Sequence, residues 1–347
     1  MKIAVIGSGY FGSTIALILS KKHNVDLYEK ENDILNGASK VNQFRFHLGF
    51  HYPRSPKTIN EINLSQKLFK RFFSNKVFGN TKNYYAVANA NSKTSFLKYL
   101  NFLKKFKLNH QIVKKNKYKK ISNLILTKEK ILNYFIIKKI LKKKLSKSNV
   151  NLFLKKKFNK KYFDLYDKII ICGYSQNNKI LNELGFKKNI NKYRYELIEK
   201  IIVKLPKQYK NKSYVIMDGN FVCVDPYLGT EYHLLSDVKF SKIEIIKKKS
   251  LDFKSNKIKY VNNKINNNIK ISNFKKFIQN SSKYLPFLNE AKYIGSFFTI
   301  RTLKQNVEKT DERTGEIQII NNKVISIFSS KWNTCIYVAK KLNKLLN

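Results

Sequence analysis

Residues 1–30 read MKIAVIGSGYFGSTIALILSKKHNVDLYEK, and their pattern decides the fold. Lys2–Ile6 is an apolar run of strand length. Gly7-x-Gly9-x-x-Gly12 follows at once and opens a helix that Ile15–Ser20 continue, and Val25–Tyr28 is a second strand ending at Glu29. Gly7 permits a tight turn, Gly9 lets the backbone approach a pyrophosphate on the helix N-terminus, and Gly12 lets the helix pack against the strand. Tyr10 and Phe11 stand in the same turn and belong to the same candidate site. Glu29 can accept from a ribose hydroxyl, and Lys30 stands beside it. A glycine triplet alone is a weak signal; strand, helix, strand and terminal acid in register make a strong one. The stretch predicts a Rossmann-like α/β unit that binds a dinucleotide. A signal peptide is disfavoured, because Gly7, Ser8, Gly9, Gly12, Ser13 and Thr14 break the apolar run.

Composition limits what surrounds this unit. At 347 residues the chain is long enough for two cores, and 43% apolar with 14% aromatic residues excludes a disordered tail. Three cysteines without zinc-type spacing exclude a disulfide scaffold and fit a reducing, cytoplasmic setting. No apolar run reaches the roughly 18–20 residues of a membrane span. The formal charge is +48, from 70 Lys+Arg against 22 Asp+Glu. This charge is dispersed lysine without a basic tail or an aromatic–basic module, so no specific nucleic-acid partner is predicted. It is expected to draw the chain weakly toward anionic surfaces, a membrane included, at low salt. Only six of the 70 cations are arginine: Arg45, Arg54, Arg71, Arg194, Arg301 and Arg313. In so lysine-rich a chain, an arginine points to a place that needs a planar, bidentate fork.

Further segments narrow the cofactor. Residues 37–55, GASKVNQFRFHLGFHYPRS, set Ser39, Asn42, Arg45, His47, His51 and Tyr52 in one polar–aromatic loop. The stretch resembles the second FAD-contacting segment of the D-amino-acid-oxidase-like (DAO) flavoprotein superfamily, with His47-x-Gly49-x-x-Tyr52-Pro53 most like the L-2-hydroxyglutarate oxidase/dehydrogenase branch. YDKIIICGY (166–174) resembles the superfamily's central strand against the cofactor, with Cys172 and Gly173 in place of the usual Thr-Gly. GNFVCVDPYLGTEYH (219–233) resembles its substrate-domain segment that runs through Asp225-Pro226 to His233. GSFFTIRT (295–302), TDERTGEI (310–317) and SKWNT (330–334) resemble the C-terminal flavin-closing region. The last of these is similar to a Gly-Gly-Lys-x-Thr-Thr element of FAD-linked glycerol-3-phosphate dehydrogenases, with Ser329-Ser330 replacing the glycines and Asn333 one threonine.

The resemblance implies an α/β architecture: a Rossmann-like, glutathione-reductase-like FAD-binding domain (1–83, 148–190 and 295–347) and a discontinuous α+β substrate domain with an antiparallel sheet (84–147 and 191–294). Phe96, Tyr99, Leu100, Leu103 and Phe106 read as a core-facing helical stripe. The implied cofactor is FAD, held by Gly7, Gly9, Tyr10, Phe11, Gly12, Glu29, Lys30, Ser39, Asn42, Arg45, Cys172, Gly173, Arg301, Lys331, Trp332, Asn333 and Thr334. The implied reaction is hydride transfer to flavin N5 from a carbon bearing OH or NH, on a small hydroxy acid, amine or sugar-like substrate, with the electron acceptor open. His233, His47 and His51, in that order, are the candidate bases. Arg301 and then Arg45 are the candidate anion clamps, and Tyr52 is a donor or a pocket wall. A non-redox flavoprotein such as a sugar-nucleotide mutase, and a basic nucleic-acid-associated protein, are the competing readings.

Overall fold

The computed structural model describes residues 1–114, 118–219, 222–307 and 309–347; Asn220 and Phe221 of the segment 219–233 lie outside them. Among the described residues β1 (Lys2–Ile6), α1 (Tyr10–Leu19) and β2 (Asn24–Tyr28) form the expected unit, with β1 and β2 paired in parallel. A six-stranded sheet grows around β1, in the order Glu316–Ile319, Val324–Phe328, Lys168–Ile171, β1, β2, Val150–Phe153, and only its Glu316–Ile319 edge is antiparallel. Alternation explains the layering. Ile3 and Val5 point into one apolar cluster and Ala4 and Ile6 into another, so both faces are buried and the strand reads as a continuous apolar run. The helices α1, Tyr134–Ser146 and Cys335–Leu346 cover the first face.

The second layer is a nine-stranded sheet whose longest members, Tyr193–Lys204 and Lys292–Leu303, pair antiparallel along almost their whole lengths. The sequence implied an antiparallel sheet. One junction departs from that: Lys82–Val87 runs parallel to Lys212–Met217, because the chain leaves this sheet for the first layer between them. Two segments also sit away from their sequence-based grouping. Lys292–Leu303 belongs to the nine-stranded sheet, and helix Tyr134–Ser146 packs its Tyr134, Ile137, Leu141 and Leu145 on the first layer. Of the stripe on and just beyond Phe96–Lys105, Tyr99 and Leu103 are buried and Phe96, Leu100 and Phe106 pack half-buried against the same core, which also takes in Phe102.

A two-residue ladder joins the layers: Arg45–Phe46 pairs with Lys130–Ile131, which sets Arg45 beside Glu129. No helix among the described residues is long and apolar enough to cross a membrane.

Candidate FAD and substrate site

The glycine turn places the peptide backbone at the floor of a cleft between the layers. Gly7 has φ +100°, and a Cβ there would lie 2.8 Å from the Cys172 carbonyl oxygen; a Cβ on Gly12 would lie 1.7 Å from the Gly7 carbonyl oxygen. Gly7 and Gly9 line the cleft, whereas Gly12 does not, because its role is the close seating of α1 on the turn. Glu29 is buried at the end of β2. Its carboxylate accepts from the Ser8 amide (2.8 Å), the Ser8 hydroxyl (2.7 Å) and the Glu31 amide (2.9 Å), which fix its orientation toward the cleft. Lys30 lines the mouth beside it.

The cleft encloses about 840 Å³ and runs from Glu29 and the Lys156–Lys160 stretch, past Tyr10, Phe11, Ser39, Asn42, Cys172 and Gly173, to His47, His51, Arg301, Lys331 and Trp332. That is the upper range of ligand cavities. The Asn42 side chain accepts from the Gln43 and Phe44 amides and so shapes the turn into the loop. Buried polar atoms without a partner among the described residues recur on the lining: Tyr10 Oη, Gln43 Oε1, His47 Nδ1, Thr302 Oγ1 and Trp332 Nε1. Buried polar atoms are otherwise paired, so this set fits a large polar ligand, and the donors and acceptors of a dinucleotide cofactor are of the kind it lacks.

Several sequence-predicted residues stand elsewhere. His233, the first-ranked base, does not line the cleft; it is 1% exposed, with Nε2 at 3.0 Å from the Tyr209 carbonyl oxygen, and burial pushes its pKa down to about 4. The strand His233–Asp237 turns that side chain to the far face of its sheet. Tyr52 is packed behind His47 and His51, its ring 5.4 and 5.3 Å from theirs, and is a second-layer wall. Asn333 and Thr334 are also behind the lining: Asn333 donates to the His47 carbonyl oxygen (3.4 Å) and Thr334 closes the turn onto the Lys331 carbonyl oxygen (2.7 Å). Arg45 reaches the cleft, but its fork is committed to Glu129 (3.3 Å), Asp225 (2.5 Å), Ser213 and Tyr85 (3.4 Å), so it is not available as an anion clamp.

What remains at the inner end is strongly cationic. Arg301 is tied to Glu196 through Nε (2.6 Å) and Nη2, leaving Nη1 without a partner among the described residues. Lys331 lies 4.8 Å from the Tyr52 ring centroid without an ion-pair partner among the described residues; burial and the Arg313 charge push its pKa down to about 7. Burial, followed by the Lys331 charge, holds the His47 and His51 imidazoles well below the usual histidine range, so both are neutral at pH 7. Sequence reasoning missed Gln43, Lys200, Ser236 and Arg313 as lining residues. Arg313 carried a signal as one of the six arginines; the lysine carried none in so lysine-rich a chain.

Comparison with known proteins bears on the cofactor and the fold. Residues 2–124 match the DAO family, described as FAD dependent oxidoreductase. The FAD-dependent monooxygenase kojA of Aspergillus flavus is 41% identical over 59 residues, 17% of this chain and 14% of that protein, so the sequence match spans a small part of the curated relative. Glycine oxidase from Geobacillus kaustophilus superposes with a TM-score of 0.70 at 12% identity, over 99% of this chain and 94% of that one. The glycerol-3-phosphate dehydrogenase from Bacillus halodurans, solved with FAD, superposes with a TM-score of 0.62 at 14% identity, over 100% of this chain and 64% of that one. The first third of the chain thus matches the family model of DAO-type FAD-dependent oxidoreductases, and the chain as a whole shares the α/β fold of these solved flavoproteins.

Proposed function

We propose that this protein oxidises a small anionic molecule at a carbon bearing an OH or NH group, with FAD in the cleft. The observation that carries the proposal is one continuous cleft, with the glycine turn and Glu29 at one end and neutral histidines beside Lys331, which has no ion-pair partner among the described residues, at the other. When bound, FAD supplies a ring that accepts a hydride. The protein's part is to orient substrate and move one proton. Arg301 presents Nη1 to an anionic group, with the rest of its fork held by Glu196. His47 then accepts the proton of the substrate OH or NH at its unpartnered Nδ1. Alone it is a weak base, because burial and the neighbouring charges oppose a second positive charge. An anion seated at Arg301 and Lys331 offsets those charges and raises its basicity when substrate is present. Lys331, titrating near neutrality, supports the same transfer.

The test is anaerobic. The purified protein is expected to show flavin absorbance, and a panel of hydroxy acids, amino acids and amines is expected to contain compounds that bleach it. A flavoprotein that no member bleaches, but that dithionite reduces, would favour the non-redox reading; a protein that refuses FAD would overturn the proposal.

A further inference from the structure

We infer that the cleft holds a second anion subsite at Lys200, so that the preferred substrate carries two anionic groups, one at Arg301 and one at Lys200. This rests on the oxidoreductase reading above for the word substrate, but the subsite itself stands on geometry. Lys200 lies in the strand Tyr193–Lys204, is 6% exposed, and lines the cleft. Its ammonium donates to the Ser236 hydroxyl (2.8 Å) and has no ion-pair partner among the described residues. Asp225, the carboxylate nearest in register, is spent on Arg45 and Ser213.

A buried, unpaired ammonium is costly, and an anion bound within reach of it favours its charged form. Burial pushes this lysine's pKa down to about 8, with Arg301 acting in the same direction, as expected for a cation that awaits its anion.

Register gives the spacing. Arg301 stands opposite Glu196, and Lys200 is four residues further along the same strand, on the same face. At 3.3–3.4 Å per residue that is about 13 Å between backbone positions, a gap that two long side chains close to the length of a short chain of carbons. Ser236 lies beside Cys223, whose carbonyl oxygen accepts from Gln43 (3.3 Å), leaving Gln43 Oε1 unpartnered in the same corner. The corner offers an ammonium and a hydroxyl, the donors that a carboxylate or a phosphate ester needs.

The experiment is calorimetric titration of the full protein, at constant ionic strength, with malonate, succinate, glutarate and adipate. Monoacids of equal chain length and 3-phosphonopropionate are run alongside, and flavin content is recorded on each sample. At least one diacid should bind ten times more tightly than its monoacid. K200Q should bring the ratio near one without weakening the monoacid, and K200R should preserve it; S236A, which leaves the charge in place, should lower it a few-fold. Tighter binding of the phosphonate assigns the second group as a phosphate ester, and tighter binding of a diacid assigns it as a carboxylate. If every diacid binds within twofold of its monoacid, or if K200Q weakens both equally, the subsite is overturned. A protein that lacks flavin yet prefers a diacid would keep the subsite and sink the oxidoreductase reading. Should K200Q not fold, the ratios for K200R and S236A decide.

Discussion

Replacing Arg45 by methionine strips one shared partner from two buried carboxylates. The guanidinium is 1% exposed and stands 3.3 Å from Glu129 and 2.5 Å from Asp225. Removing one member of a buried pair costs about 3–5 kcal/mol, and one cation serving two anions puts R45M in the upper part of that range at neutral pH. With an unfolding entropy of about 2.1 cal/mol/K per residue over 347 residues, this is a fall in Tm of roughly 5–7 °C. The dependence on pH has a definite sign. Burial raises the pKa of both carboxyls while Arg45 pulls them down, so in R45M both rise further. A carboxyl whose folded pKa exceeds its unfolded value contributes stability when protonated, and that contribution is lost as pH rises through the folded pKa. The gap in Tm between wild type and R45M should therefore be widest at pH 8 and shrink by pH 5.5. Adding E129Q and D225N to R45M should recover much of the loss, since neutral amides leave no buried charge. Thermal melts followed by circular dichroism at both pH values provide the assay. A gap below 1 °C at pH 8, or one that does not narrow on acidification, would refute the reasoning.

Further predictions follow from the same geometry. G12A drives a Cβ into the Gly7 carbonyl and should give colourless or insoluble protein, while G37A, which meets nothing within 4 Å, should retain its flavin absorbance. H47N should slow anaerobic bleaching about 100-fold, whereas H233Q, outside the cleft, should leave the rate within about twofold and act on stability. The His233 contribution to stability is present above its unfolded pKa of about 6.5 and lost as pH falls toward 4, so melts between pH 4 and 7 should flatten in H233Q. R301K replaces a fork by a point charge and should raise substrate Kd about tenfold, read from the flavin spectrum. K331M should remove from the bleaching rate a pH dependence centred near 7.

How much of this was legible depended on whether a signal is local. The turn at Gly7–Gly12 and the acid at Glu29 are read from spacing alone, because chain sterics and the helix terminus demand those residue types wherever they occur in sequence. The core stripe of Phe96–Lys105 followed from periodicity for the same reason. Histidine identity is different. His47, His51 and His233 are equivalent as letters, and their fates diverged because strand alternation turns His233 away from the cleft while the loop after Arg45 turns the other two into it. Arg45 carried the composition signal of a rare arginine, and that signal was sound: a bidentate fork was needed there, but for Glu129 and Asp225, which lie 84 and 180 residues away. Lys200 was invisible among 64 lysines until its strand was shown to be buried on both sides. The sequence by itself determined the dinucleotide turn, the α/β class and the cofactor family, all set by short-range backbone geometry. Only the tertiary structure decided which charges are spent on one another and which remain for a ligand, because pairing depends on distances between segments that the chain order does not encode.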